Sequence, residues 1–130
     1  MRVAAHMARV LLGAVFFVFG IDGFLGLIPL PPLPAPAMDF MGAMIKTGYL
    51  FYVVKGTEVA AGALLLSGRF VPLALVLYSP VLVNIALFHA FLNAPQELIM
   101  PIVLLALHLF LVWQYRAYYK GLFTVRAATS

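Results

Sequence analysis

Four stretches of about 20 mostly apolar residues restrict this chain to one class of fold. A segment of that length crosses the hydrocarbon core of a bilayer as a helix, whose backbone groups find their hydrogen-bond partners within the segment itself. We therefore predict an all-α membrane protein. Residues 1–130 form a single membrane domain, an antiparallel four-transmembrane-helix bundle. The predicted helices cover residues 8–28, 47–67, 71–92 and 98–117.

The composition fits lipid as the solvent. The chain is 65% hydrophobic and 9% charged, whereas a soluble domain is nearer half apolar and a quarter charged. It contains no cysteine, which excludes disulfides, thiolate metal sites and thiol redox chemistry. The net charge is +4, but the basic residues form no stripe with interleaved aromatic residues. We therefore expect the lipid bilayer and not nucleic acid as a partner.

The connections between the predicted helices carry turn signals. Gly68 is typical of a helix end and a tight hairpin, and Pro95 marks a further turn. Residues 28–39, "IPLPPLPAPAMD", contain five prolines, which disfavour regular helix and predict an extended Pro-rich outer loop between the first two helices. This loop is either a stiff linker or a recognition motif for a soluble partner. Residues 37–49 are expected to lie flat at the interface.

Four crossings place both termini on one side of the membrane. Basic residues mark the cytoplasmic side, and most of those in this chain fall on the side of the termini. We therefore predict a multi-pass protein with both termini in the cytoplasm, a cytoplasmic tail at 118–130 and the Pro-rich loop outside. The basic residues on the cytoplasmic side are Arg2, Arg9, Arg69, Arg116, Lys120 and Arg126.

Polar residues inside the predicted spans are the candidate functional groups. Lys55 and Glu58 are three residues apart and share one helix face, so we expect them to pair. Pairing offsets the cost of an isolated charge at a helix centre, about 2.5 kcal/mol or more. At a rise of about 1.5 Å per residue, most of these groups lie in the outer half of the membrane or near its midplane. The candidate substrate-binding residues are Lys55, Glu58, Asp22, Asn84, His89 and His108.

Two interpretations of these residues remain open: a polar pocket in the bundle, or a structural ion pair that fixes helix packing. Asp22 alternatively caps the outer turn of the first helix. Asn84 alternatively bonds a backbone carbonyl that the kink at Pro80 leaves without its helical partner. His89 is alternatively a solvated helix-end residue, and His108 a core histidine bonded to a carbonyl. No metal site is predicted, because the two histidines differ in depth by about 10 Å.

Three glycines on the first helix predict close helix packing, within one subunit or across a homo-oligomer. They are Gly13, Gly20 and Gly23.

Three blocks of this sequence resemble the DoxX family of small four-helix membrane proteins. They are "ARVLLGAVFFVFGIDGF", "LPPLPAPAMDF" and "TGYLFYVVKGTEVAAGALLLSGRFVPLALVLYSPVLVNIALFHAFL", and the resemblance covers roughly residues 8–118. It implies a bacterial inner membrane, a link to redox or sulfur metabolism and contact with quinone, since the family is named after a membrane subunit of thiosulfate:quinone oxidoreductase. Lys55 and Glu58 of "VKGTE" match a recurring feature of the family, as do Asn84 and His89 of "NIALFH".

Three functions are compatible with these features. The first is a redox-associated membrane subunit whose intramembrane polar pocket binds quinone, with electrons supplied by a redox partner. Lysine, histidine or asparagine side chains would donate hydrogen bonds to the quinone, and Glu58 or Asp22 would take or relay protons. The second is a non-catalytic membrane scaffold or assembly factor for a redox enzyme. The third is a small transporter, which the absence of a visible inverted repeat disfavours.

Overall fold

The computed structural model describes residues 2–129 and is helical in every regular element of that range. The α-helices are α1 (Arg2–Leu25), α2 (Ala35–Lys46), α3 (Leu50–Ser67), α4 (Val71–Phe91) and α5 (Ile99–Gln114). Two 3₁₀ helices, Pro95–Leu98 and Arg116–Phe123, precede and follow α5. Four helical segments are long and apolar enough to cross a membrane: Arg2–Leu25, Leu50–Ser67, Val71–Phe91 and Pro95–Gln114. The predictions of an all-helical chain and of four candidate spans are confirmed.

The end of α1 is set by a local cap. Gly26 adopts a positive φ of 64°, a conformation that glycine reaches without steric cost. Oδ1 of Asp22 accepts hydrogen bonds from the backbone N–H groups of Leu27 and Ile28, at 2.8 and 2.7 Å. The helix therefore ends at Leu25, three residues before the predicted boundary at residue 28.

The Pro-rich segment is only partly a loop. Residues 26–34 form no regular helix, and Pro34 has the extended backbone of polyproline, with φ −58° and ψ 156°. Helix α2 then begins at Ala35, although residues 28–39 were expected to be irregular throughout. The prediction is wrong for residues 35–39, because Pro36 occupies the first turn of α2, where no backbone N–H is required.

Helices α1 and α3 form the closest helix pair of the protein. Gly13 faces Leu65, while Phe17, one turn further along α1, faces Gly62, one turn earlier on α3. The two helices therefore run in opposite directions. A Cβ atom added at Gly62 would lie 2.5 Å from the backbone nitrogen of Phe17, so only glycine permits this approach. The glycines of α1 thus serve packing within one chain.

The core lies where α1, α3, α4 and α5 meet. Tyr78 of α4 is fully buried there, and its ring centroid is 4.6 Å from that of Phe16 on α1. Aliphatic side chains fill the rest of this space, which leaves few polar groups inside the bundle. The fully buried leucines are Leu12, Leu65, Leu75, Leu82 and Leu111.

Tyr119 fastens the last 3₁₀ helix to the start of α4. Its buried side chain donates a hydrogen bond through Oη to the carbonyl oxygen of Pro72, at 2.9 Å. Burial raises the pKa of Tyr119 above its ordinary value of 10.0, and the nearby Tyr115 raises this pKa further. The donating phenol therefore persists at a pH where a solvated tyrosine ionises.

We expect Tyr119→Phe to lower the free energy of unfolding by about 1 kcal/mol, because one hydrogen bond is lost. In the unsubstituted protein, the Tyr119 phenol contributes its full share to the free energy of unfolding below the unfolded-state pKa of about 10. This contribution is lost as the pH rises through the folded-state pKa, which is higher. Thermal unfolding in detergent, followed between about pH 8 and 12, should therefore show an alkaline decline that is smaller in the variant. An equal decline in both proteins would contradict this role.

Candidate functional site

A cavity of about 220 Å³ opens between the five α-helices and brings together four of the predicted site residues. Lys55 and Glu58 reach it from α3, and Asn84 and His89 reach it from α4. Most of the remaining wall is aromatic or thioether in character. Aromatic and methionine residues of this wall include Phe40, Phe51, Phe88, Met41, Met44 and Met100.

The two charges of the cavity form an ion pair. Nζ of Lys55 lies 3.1 Å from Oε2 of Glu58, as their spacing on the helix predicts. The side chain of Glu58 is 5% exposed and that of Lys55 is 21% exposed. The ammonium group also lies 5.7 Å from the ring centroid of Phe51, within reach of a cation–π interaction. Lys55 has three N–H donors, so bonding one of them to Glu58 leaves donors for a ligand.

The stem of Lys55 packs on the backbone of α1 at Gly23, where an added Cβ would collide with the lysine side chain. Gly20, one turn earlier, similarly lies against Val59 and Glu58 of α3. These glycines allow a charged side chain to lie between two tightly packed helices. The ion pair therefore borders both the cavity and the α1–α3 contact.

The hydrogen bonding of His89 defines what it presents to the cavity. Its Nδ1 lies 2.8 Å from the carbonyl oxygen of Ile85. A carbonyl only accepts, so Nδ1 carries a proton, and in the neutral imidazole Nε2 is then an acceptor. Asn84 has an exposed side chain and adds both an amide donor and a carbonyl acceptor at the cavity mouth.

Asp22 and His108 do not line this cavity. Asp22 caps the end of α1, as described above, whereas His108 of α5 is buried in the core. The six candidate residues therefore separate into one group of four and two isolated positions. Residues at a similar depth in the membrane need not lie close together, because depth does not determine the direction in which each side chain points.

His108 belongs to a buried chain of hydrogen bonds. Because Ser79 donates its hydroxyl proton to the carbonyl of Leu75 at 2.5 Å, it accepts from Nε2–H of His108 at 2.9 Å. Nδ1 of His108 then accepts from the hydroxyl of Tyr78 at 2.7 Å. Of the two interpretations of His108, burial fits the core histidine, but two hydroxyl groups, and not the expected backbone carbonyl, satisfy the ring. Sequence reasoning missed Tyr78 and Ser79, although a lone histidine at apolar depth signals that such partners are needed.

A second cavity, of about 660 Å³, adjoins the first beneath the Pro-rich segment. Residues 30–34 cover it, and Asn93 and Glu97 line its edge near the α4–α5 connection. His89 and Met100 line both cavities, so the two adjoin at these side chains. Helix α2, which the sequence did not predict, contributes Phe40, Met41 and Met44 to the wall of the first cavity.

No protein-family model matches the chain, and no curated protein or solved structure matches it either. The resemblance to the DoxX family therefore rests on the quoted sequence blocks.

Proposed function

We propose that the chain is a redox-associated membrane subunit whose first cavity binds the ring of a quinone. The single observation that carries this proposal is the convergence of Lys55, Glu58, Asn84 and His89 on one otherwise apolar cavity. Small-molecule sites are typically apolar pockets with a few polar groups that fix the ligand's orientation. A DoxX-like protein of the bacterial inner membrane fits this chemistry.

The size of the cavity supports a single-ring ligand. A closed apolar cavity of about 150 Å³ accommodates benzene, and this cavity of about 220 Å³ is somewhat larger. Phenylalanine and methionine side chains would pack on the faces and edges of such a ring. The adjoining second cavity, which reaches the Pro-rich segment, offers room for ring substituents or the start of a tail.

The polar groups match the two oxygens of a quinone. Lys55 and the Asn84 amide would donate hydrogen bonds to a carbonyl oxygen, while Nε2 of a neutral His89 would accept one from a hydroxyl of the reduced form. Glu58, beside Lys55, is the candidate for holding a proton at the ring. A bound quinone supplies two-electron, two-proton redox chemistry, and on this proposal a partner protein supplies the electrons, since a chain without cysteine holds no cysteine-ligated iron–sulfur cluster and no thiol redox pair.

The proposed topology is an antiparallel four-transmembrane-helix bundle with both termini in the cytoplasm. Arg9 donates to the carbonyl oxygens of Leu65 and Leu66, which brings the start of α1 to the end of α3. The hydrogen bond of Tyr119 brings the last 3₁₀ helix to the start of α4 at Pro72. Both contacts support the proposal that the basic ends share one side, which the positive-inside rule would assign to the cytoplasm.

A non-catalytic scaffold or assembly factor is the second candidate function. It is favoured by the packing of Lys55 on Gly23, because an ion pair at a helix contact can serve helix packing alone. On this account the cavity holds lipid tails, and the Pro-rich segment or the cytoplasmic tail binds a redox enzyme.

Copurification of quinone distinguishes the two functions. Purification from bacterial membranes in a mild detergent, followed by lipid extraction and mass spectrometry, is expected to recover quinone in stoichiometric amount. Asn84→Leu should lose most of it, because the exposed amide contributes to binding and little to folding. Thr57→Val is the matched control, since this hydroxyl bonds the carbonyl of Val53 on α3 and does not line the cavity. Bulk lipid alone, or equal quinone in both variants, would favour the scaffold.

A further inference from the structure

We propose that the basic end of the bundle binds the phosphate group of an anionic phospholipid. A third cavity, of about 400 Å³, lies there between the start of α1, the α3–α4 turn and the end of α5. It is separate from the cavity assigned to quinone, and the proposal does not depend on that assignment. Its lining includes Arg2, His6, Arg9, Gly68, Gln114 and Tyr115.

The basic residues of this third cavity come from one face of α1. Arg2, His6 and Arg9 follow one another at spacings of four and three, which places them on the same side of the helix. None of the described residues that line this cavity is acidic. The opposite wall adds the amide of Gln114 and the hydroxyl of Tyr115. The cavity therefore presents positive charge and hydrogen-bond donors, which are the groups that bind an anion.

Arg9 organises this arrangement. Its Nη1 donates to the carbonyl oxygens of Leu65 and, at 3.3 Å, Leu66, and so neutralises the negative end of α3. Its Nη2 lies 2.9 Å from Nδ1 of His6. A guanidinium only donates, so Nδ1 of His6 accepts and Nε2 of this ring carries the proton. His6 and Arg2, both exposed, thus offer donors to a ligand, while Arg9 holds the helices together.

The position of this cavity favours a lipid over a soluble anion. It lies at the ends of three candidate membrane spans. Val3 and Met7, on α1 beside the basic residues, are 73% and 64% exposed and offer apolar surface to acyl chains. Trp113, close to the cavity in sequence, is an aromatic residue typical of the level of lipid headgroups. Basic pockets between spanning helices on the cytoplasmic side are known to bind anionic headgroups.

Native mass spectrometry of the full chain in detergent tests this proposal. The probes are phosphatidylglycerol, phosphatidylcholine and inorganic phosphate. We expect phosphatidylglycerol to bind several-fold more tightly than phosphatidylcholine, and the double variant Arg2→Gln, His6→Gln to lose at least about fivefold of that affinity. The matched control is Arg69→Gln, an exposed basic residue of the same end that does not line the cavity. It should bind as the unsubstituted chain does.

Three results would overturn the proposal. One is equal binding of the two lipids, and another is an equal loss in the control and the double variant. The third is displacement of phosphatidylglycerol by inorganic phosphate at comparable concentration, since the cavity would then be a site for a soluble anion. The double variant keeps Arg9 and its contacts to α3, and its thermal unfolding in detergent, expected to match that of the unsubstituted chain, shows whether a loss of binding reflects unfolding.

Discussion

Replacing Lys55 with methionine is expected to lower the free energy of unfolding by about 3–5 kcal/mol, because the Glu58 carboxylate is left buried without its cation. The Glu58 side chain is only 5% exposed, so its carboxylate is poorly solvated once the ammonium is lost. Glu58→Gln should cost less, because the amide oxygen of glutamine can still accept a hydrogen bond from Nζ of Lys55. The order of the two single variants is therefore part of the prediction.

The double variant Lys55→Met, Glu58→Leu should regain much of the stability that the lysine substitution removes, because no unpaired charge remains. Reversible unfolding in mixed detergent micelles, applied to a double-mutant cycle with Lys55→Met and Glu58→Leu as its single variants, measures the coupling directly. Thr57→Val, on the same helix but away from the ion pair, should change stability little. Strictly additive effects of the two single substitutions would show that the charges do not stabilise one another.

Gly62→Ala is expected to disrupt the α1–α3 contact and to cost at least about 1–3 kcal/mol. The added Cβ would lie 2.5 Å from the backbone nitrogen of Phe17 and 2.8 Å from its Cα. These are backbone atoms and cannot turn aside, so relief requires α1 to move as a whole. Because Glu58 and Lys55 lie one and two turns away on α3, the cavity should also lose its shape.

Gly56→Ala is the matched control for Gly62→Ala, since both glycines lie within α3. A Cβ at Gly56 meets nothing within 4 Å, so the substitution should stabilise the protein slightly through the higher helix propensity of alanine. The same unfolding measurement, made on both variants, compares one added methyl group at two positions of one helix. Equal stability of the two variants would show that α1 and α3 are not in close contact at Gly62.

The hydrophobicity of the segments and the spacing of residues along them were enough to predict the four spans and the ion pair. The four candidate spans follow from apolar segments of sufficient length, and the Lys55–Glu58 pair follows from helical periodicity. Asn84 and His89 could be named as polar groups in an apolar helix. Their common cavity with the ion pair could not be predicted, because it depends on how α3 and α4 are rotated relative to one another.

The features that the sequence did not predict depend on local or cross-helix detail. Five closely spaced prolines favoured a loop, yet Pro36 in a first helical turn is compatible with α2. The partners of His108 are 29 and 30 residues away in sequence, on another helix, so no local pattern indicates them. Asp22 had two roles open to it from sequence, ligand and cap, and its carboxylate caps the end of α1.

The location of quinone binding is the most direct test of the proposed function. A photoreactive quinone analogue, incubated with the protein in detergent and activated by light, should label peptides that line the first cavity. The expected sites include Met41, Met44, Phe88 and Met100, and excess unlabelled quinone should suppress the labelling. The assignment would be contradicted if labelling were confined to exposed residues outside the cavity, such as Val76 and Leu109, and were unaffected by competitor.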